Sequence, residues 1–156
     1  MTVRLPPFQA LLDAHRAEVL RFLMALVGPQ DAEDCFQETF LAALRAYPKL
    51  RDASNLRGWL LTIAHRKAMD HHRGNARRPE PVAAVPEHAA APGPEGAPEL
   101  WEAVRALPPR QRTAIVARYV GDLSYREVAL IAGGTEQAAR RNAADGLATL
   151  KEAWGR

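Results

Sequence analysis

The chain has 156 residues and a formal net charge of +3, a length that suits one ordinary domain or two small ones. Its one cysteine excludes an intrachain disulfide. No apolar run reaches the roughly twenty residues of a membrane span, and Asp13, Arg16 and Glu18 interrupt the N-terminus where a signal peptide needs a continuous apolar stretch, so a cytoplasmic protein is predicted.

The charge is unevenly distributed along the chain. Residues 1–55 carry a net −1, residues 56–78 carry +5, residues 79–99 carry −4 and residues 100–156 carry +3. A basic segment, an acidic break and a milder basic segment indicate a polyanionic partner that is contacted at two separate places.

The first two predicted helices form a hairpin. Apolar residues recur at helical spacing over residues 8–27, and Gly28-Pro29 then ends this helix and begins the next. The second helix, residues 31–47, reads DAEDCFQETFLAALRAY, and its apolar face places Cys35 in the core as a buried, inert thiol. Its other face is acidic and polar: Asp31, Glu33, Asp34, Gln37 and Glu38.

This acidic face has two interpretations. Acids near a helix N-terminus are favoured by the helix dipole, so the face can be a solvated surface. It can equally be a docking surface for a basic partner. The physical chemistry of the sequence leaves both open.

A third helix is predicted after the polar loop of residues 49–55, with Ser54 or Asn55 as its N-cap. Trp59 and Ile63 fall on its apolar side, whereas His65 is predicted to lie elsewhere on the helix. These three helices make a first domain, residues 1–78. Its cations predict contact with a nucleic-acid backbone, or else a solvated helix end, and Trp59 is equally suited to the core or to base stacking. The cations are Arg57, Arg66, Lys67, Arg73, Arg77 and Arg78.

Residues 79–98 differ sharply in composition from the rest. The stretch PEPVAAVPEHAAAPGPEGAP contains no aromatic residue and shows no helical or strand period. It is predicted to be a flexible linker, because it cannot bury enough surface to fold alone.

Residues 99–156 return to helical spacing and form a second domain. A short helix is followed by one that begins at Pro108-Pro109 and turns Tyr119 inward. Ser124 and Glu127 form a predicted capping box, after which Gly133-Gly134 makes a turn and Thr135 caps the last helix. This order is typical of a helix-turn-helix, although many such hairpins are only structural. Gly146 is expected to weaken the last helix by about 1 kcal/mol relative to alanine.

The sequence offers little for chemistry or cofactors. His65, His71 and His72 are close in sequence, but the adjacent histidines point about 100° apart on a helix, and no second cysteine helps to bind zinc. Cys35 has no basic neighbour and no phosphate-binding loop is present. We therefore expect no metal, no cofactor and no enzymatic activity.

Three segments in register resemble the extracytoplasmic-function class of bacterial RNA polymerase sigma factors. They are the second predicted helix with its acidic face, the segment WLLTIAHRKAMDHHR and the segment LPPRQRTAIVARYVGDLSYREVALIAGG. The resemblance implies an all-α protein of two small helical domains, with a helix-turn-helix in the second. It also implies binding to the polymerase core through the clamp helices of the largest subunit and the flap, binding to promoter DNA, and a possible anti-sigma partner. The polymerase-binding residues that it implies are Asp34, Gln37, Glu38 and Leu41.

The same resemblance assigns two DNA-binding surfaces. In the first domain, a loop at residues 51–55 and the following helix would recognise and melt the minus-ten element, through Arg57, Trp59, Arg66, Lys67 and Arg73. In the second, the resemblance implies recognition of the minus-thirty-five element by the last helix. The side chains at the start of that helix that can reach groove edges and phosphates are Glu136, Gln137, Arg140 and Arg141. Arg66 departs from the asparagine common in the family, and the last helix lacks several of the family's cations. Two alternatives therefore stay open: a helix-turn-helix regulator that never joins polymerase, and a sigma-like interaction protein with vestigial DNA contacts.

Overall fold

The computed structural model describes residues 5–77 and 96–154, and in these ranges it contains helices and loops but no β-strand. The all-α prediction is confirmed, while the predicted linker lies mostly outside the described residues. The helices are α1 (Phe8–Val27), α2 (Pro29–Ala46), α3 (Leu56–Arg77), α4 (Pro98–Arg105), α5 (Pro109–Ile115), α6 (Tyr125–Ala132) and α7 (Glu136–Trp154). A short 3-10 turn, Tyr47–Lys49, follows α2, and a π-helical turn, Val116–Val120, follows α5.

The first domain is built from α1, α2 and α3, which all pack against one another. The predicted hairpin is confirmed, because α1 ends at Val27, α2 begins at Pro29 and the two helices contact each other. Between them, the amide of the C-cap Gly28 donates to the Met24 carbonyl. The predicted cap of α3 is confirmed as Asn55, whose side-chain oxygen accepts a hydrogen bond of 3.0 Å from the Gly58 amide. Such a cap satisfies one of the amides that a helix start leaves unpaired.

The second domain contains the predicted helix-turn-helix. Ser124 and Glu127 form a complete capping box at the start of α6, as expected. Gly133 and Gly134 both have positive φ, which lets the chain reverse between α6 and α7 at little steric cost. Thr135 then caps α7 by accepting a 3.0 Å hydrogen bond from the Ala138 amide. Local signals in the sequence therefore predicted correctly where α6 begins, where the chain turns and where α7 begins.

Two predicted orientations are wrong. Tyr119 was expected to face inward but is 55% exposed, because it lies on the π-helical turn, which breaks the helical spacing that the expectation assumed. His65 was expected to lie away from the core but is only 8% exposed. It is covered by the second domain, and the period of its own helix contains no information about that contact.

The two domains share one hydrophobic core. Buried residues of α1 and α3, such as Phe22 and Leu60, belong to the same cluster as Val116 and Leu123 of the second domain. Helix α1 contacts both α4 and the π-helical turn. The domains are therefore packed together in this structure.

Gly146 has a packing role that helix propensity alone does not reveal. It is buried in α7, and a Cβ added there would lie 2.9 Å from Cγ1 and 3.3 Å from Cδ1 of Ile115 on α5. Since a Cβ normally keeps a larger distance from its neighbours, the glycine allows α5 and α7 to approach closely.

Candidate partner-binding and nucleic-acid surfaces

The outer face of α2 carries the acidic surface that the sequence indicated. Asp34, Gln37 and Glu38 are exposed and have no hydrogen-bond or ion-pair partner among the described residues, and Leu41 is 53% exposed. These four positions follow the i, i+3, i+4, i+7 spacing that places side chains on one helical face. An exposed leucine beside unpaired acids makes this a mixed apolar and anionic surface.

The opposite face of α2 is anchored in the core, as predicted for Cys35. This thiol is 1% exposed, and burial together with the nearby carboxylates of Glu38, Asp31 and Asp34 raises its pKa to about 12. Asp31 is engaged separately, with Oδ2 3.2 Å from Nε2 of His71 on α3. The acidic surface of Asp34, Gln37, Glu38 and Leu41 is thus presented from a firmly packed helix.

Helix α3 carries the predicted cations in different environments. Arg66 and Arg73 are exposed, whereas Lys67 is half-buried. Arg73 pairs with Asp70 one turn earlier on the same helix. Arg66 has no such partner among the described residues, so its charge is available to a partner.

Trp59 lies against the core rather than fully in solvent. Its ring is partly buried and sits 6.1 Å from the ring of Tyr47, centroid to centroid, at an angle of 37°. The hydroxyl of Tyr47 in turn donates to the Pro6 carbonyl, and this holds the start of the chain against the end of α2. The indole is therefore oriented by packing while one part of it stays accessible.

The start of α3, predicted to face DNA, instead contacts the second domain. Arg57 is 30% exposed, pairs with Glu18 of α1 and donates to the Gly121 carbonyl just after the π-helical turn. The side-chain amide of Asn55 donates to Oε2 of Glu127 on α6 over 2.7 Å. These contacts link the predicted minus-ten surface to the helix-turn-helix.

A second link between the domains is buried. Nε2 of His65 on α3 lies 3.0 Å from Oγ1 of Thr113 on α5, within hydrogen-bonding distance. Burial, followed by the positive charge of Arg112 and the proximity of His72, lowers the pKa of His65 to about 4. The imidazole is therefore neutral at pH 7. No local pattern could have predicted this pair, because 48 residues separate its members.

The histidines serve structural contacts rather than one common centre. Nε2 of His72 donates to the Leu26 carbonyl over 3.0 Å, and His71 faces Asp31. Over residues 5–77 and 96–154, no group of three or more His, Cys, Asp or Glu residues is arranged to hold a metal ion. Within the same ranges, no helix is both long enough and apolar enough to cross a membrane.

The exposed face of α7 presents all four residues that were predicted to contact duplex DNA: Glu136, Gln137, Arg140 and Arg141. Two of them are already paired, since the guanidinium of Arg140 lies 3.0 Å from a carboxylate oxygen of Glu136. Arg140 also stacks over the ring of Tyr125 on α6, a residue whose position in the helical pattern gave no sign of this contact.

Two known families match separate parts of the chain. The sigma-70 region 2 family matches residues 11–78, and the sigma-70 region 4 family matches residues 98–150. SigC of Mycobacterium tuberculosis, an ECF RNA polymerase sigma factor, is 34% identical over 131 residues, which are 80% of this chain and 71% of SigC. CarQ of Myxococcus xanthus, an RNA polymerase sigma factor, is 28% identical over 95% of this chain and 89% of its own.

Solved structures share the fold. The sigma factor RpoE of Bartonella quintana, in complex with the anti-sigma factor NepR, superposes with a TM-score of 0.78 and 24% identity, over 93% of this chain and 94% of RpoE. CnrH, in complex with the cytosolic domain of CnrY, gives a TM-score of 0.67 with 20% identity, over 93% and 85% of the respective chains. The described helices therefore share the fold of the RpoE and CnrH structures.

Proposed function

The chain belongs to the extracytoplasmic-function class of the sigma-70 family, a class of non-enzymatic transcription initiation factors that direct RNA polymerase to promoters, and from this premise we propose roles for its individual surfaces. The first domain, residues 1–78, binds the polymerase core and opens the minus-ten element. The second, residues 99–156, reads the minus-thirty-five element, and residues 79–98 link the two. The protein acts in the cytoplasm, where the polymerase works.

The observation that carries this assignment is the unpaired acidic surface of α2. Asp34, Gln37, Glu38 and Leu41 point outward from a helix whose other face is fixed in the core. A partner can therefore bind without disturbing the fold. A basic partner helix with apolar side chains would neutralise the acids and cover Leu41, and the clamp helices of the polymerase largest subunit are the proposed partner.

The test replaces Glu38→Lys and Gln37→Ala together and measures the affinity of the full chain for core polymerase. We expect a clear loss of affinity with an unchanged melting temperature, because both side chains are exposed. Glu152→Lys makes the same charge reversal at an exposed position of α7 and serves as the control. Equal affinity for both variants would place the polymerase contact elsewhere.

The minus-ten surface requires a change of arrangement before it can act. Arg57 and Asn55 are engaged by Gly121 and Glu127 of the second domain. We infer that the two domains separate when the chain joins polymerase, which frees the start of α3 for the melted strand. Arg66 and Arg73 are already exposed while the domains are packed together, and they supply the initial phosphate contacts.

Opening of the promoter needs no chemical step by the protein. Binding energy spent on a separated strand shifts the equilibrium of the duplex toward the open state. The accessible part of Trp59 is suited to stack on an exposed base, while its packing against Tyr47 holds the ring in place. Stacking on a pre-oriented ring costs little conformational entropy.

An anti-sigma factor is a further proposed partner. RpoE, whose fold this chain shares, is bound by the anti-sigma factor NepR. On this chain, a partner that covers the exposed Leu41 and Leu44 would compete directly with polymerase. The match to region 2 and the acidic surface of α2 both weigh against the alternative of a helix-turn-helix regulator that never joins polymerase.

A further inference from the structure

Tyr125, the first residue of α6, lies beside two arginines that come from different parts of the second domain. The guanidinium carbon of Arg140 on α7 is 4.7 Å from the centre of the Tyr125 ring, and that of Arg118 on the π-helical turn is 5.0 Å from it. Both distances are within the range of a cation–π interaction. One ring thus holds two positive charges at the entrance of the helix-turn-helix.

We propose that Arg118, Tyr125 and Arg140 form a phosphate-binding cluster that holds the duplex backbone beside the recognition helix, with Tyr125 as the positioning residue. This inference rests on the proposed duplex binding by the second domain. It changes the expected role of Arg140 from a reader of base edges to a contact with the backbone, which carries no sequence information.

Contacts with neighbouring side chains tether Arg140. Its guanidinium is stacked on Tyr125 of α6 and paired with Glu136 one turn earlier on α7, so two contacts restrict its position. The adjacent Arg141 is exposed and has no such contact among the described residues. A side chain that reads bases must extend into the major groove, and of these two arginines Arg141 is the one whose described contacts leave it free to do so.

The position of the cluster also supports phosphate binding. In a helix-turn-helix, the second helix enters the major groove while the first crosses the phosphate backbone. Tyr125 begins the first of these helices, and the neighbouring Tyr119 is 55% exposed. The N-terminus of α6 adds the positive end of its dipole, although Glu127 of the capping box offsets part of it.

Enough hydrogen-bond donors remain for a phosphate. Arg140 has five N–H donors, of which the Glu136 carboxylate occupies one amino group. Arg118 uses one amino group to donate to the Leu123 carbonyl over 3.0 Å, and this fixes the side chain without consuming its charge. The Glu136 carboxylate repels an incoming anion. A phosphate must therefore displace this carboxylate from Arg140 or bind the guanidinium together with it.

The test measures binding of the full chain, assembled with core polymerase, to two short duplexes over a series of salt concentrations. One duplex is selected from a random-sequence pool on the wild-type complex, and the other is a scrambled version of it. A lost phosphate contact lowers the slope of log affinity against log salt by about 0.9, which is roughly an eightfold loss at about 0.1 M relative to about 1 M salt.

Arg140→Ala and Arg118→Ala are each expected to reduce the slope by this amount and to weaken both duplexes by the same factor. Arg141→Ala is the matched control, because it removes the same charge from the next position. It is expected to weaken the selected duplex by about five- to 150-fold and to change the scrambled one far less. Tyr125→Ala should reproduce most of the slope change of Arg140→Ala, while Tyr125→Phe, which keeps the ring, should restore the wild-type slope.

Two results would overturn the inference: a loss for Arg140→Ala that is confined to the selected duplex, or identical behaviour of Arg140→Ala and Arg141→Ala. Failure of the proposed function looks different. In that case the wild-type complex would select no common sequence, or would not bind duplex through the second domain at all. Circular dichroism melts of each variant separate either outcome from misfolding.

Discussion

Nε2 of His65 lies 3.0 Å from Oγ1 of Thr113, and both side chains are buried where the first domain meets the second. Arg57 and Asn55 reach across the same junction to Gly121 and Glu127 nearer its surface. A buried polar pair is stable only while each group keeps its hydrogen bond, so this pair links the packing of the domains to one specific arrangement.

Replacing Thr113 tests the strength of this link. Thr113→Val keeps the shape of the side chain but removes the hydroxyl, which leaves the buried imidazole without a partner, and we expect a loss of about 1–3 kcal/mol in the free energy of unfolding. Thr113→Ser keeps the hydroxyl and should restore part of the loss. Urea denaturation followed by tryptophan fluorescence measures both variants. If serine proved as damaging as valine, the hydroxyl would not be the group that matters.

The same pair makes stability depend on pH. The pKa of His65 is about 4 in the folded chain, against an ordinary value of 6.5, so the unfolded chain binds a proton first as pH falls. The contribution of His65 to the free energy of unfolding is therefore fully present above about pH 6.5. It is lost progressively as the pH falls toward 4, by about 3 kcal/mol in total. His72, whose pKa is also lowered by burial and by Arg112, contributes in the same direction.

The window between about pH 4.5 and 6.5 isolates the histidines, because the carboxylates titrate at lower pH. Glu18 belongs to that lower range: burial opposes its ionisation, but the hydrogen bond and charge of Arg57 outweigh burial and lower its pKa. As the pH is lowered across this window, the denaturation midpoint of the wild type should fall steadily. His65→Gln, which cannot take up a proton there, should show a visibly flatter curve. An unchanged slope would mean that His65 is not the titrating group.

Local signals predicted the helices but not the junction between the domains. The caps at Asn55, Ser124 and Thr135 were predictable because each depends on residues within one turn. The burial of His65 and the engagement of Arg57 depend on residues 48 and 64 positions away. The spacing of apolar residues shows which face of a helix is the most apolar. It cannot show which polar residue a distant domain will cover.

Gly146 shows the same limit and offers a test. Helix propensity predicts that Gly146→Ala stabilises α7 by about 1 kcal/mol. The close approach of Ile115, at 2.9 Å from the added Cβ, predicts instead an overpacking cost of about 1–3 kcal/mol, so we expect the melting temperature to fall. Gly74→Ala in α3 is the control, since nothing lies within 4 Å of its added Cβ, and it should be neutral or stabilising. If the melting temperature rose as much for Gly146→Ala as for Gly74→Ala, α5 would be able to move away from the added methyl group at little cost.

Arg57 is expected to have different roles in the free chain and on polymerase. In the free chain it binds Glu18 and the Gly121 carbonyl, so Arg57→Ala should loosen the junction and increase cleavage by a limiting protease. On polymerase, where the domains are proposed to be apart, the same variant should bind a single-stranded minus-ten oligonucleotide less tightly. One lost phosphate contact to a single strand lowers the slope of log affinity against log salt by about 0.7.

Glu18→Gln separates the two effects, because it weakens the hold on Arg57 without removing the cation. We expect this variant to increase cleavage of the free chain as Arg57→Ala does, while its polymerase complex keeps the wild-type salt slope. If Glu18→Gln lost oligonucleotide binding on polymerase as strongly as Arg57→Ala, then the Glu18–Arg57 pair would itself be part of the DNA surface. In that case, release of Arg57 from Glu18 would not be a step toward the open complex.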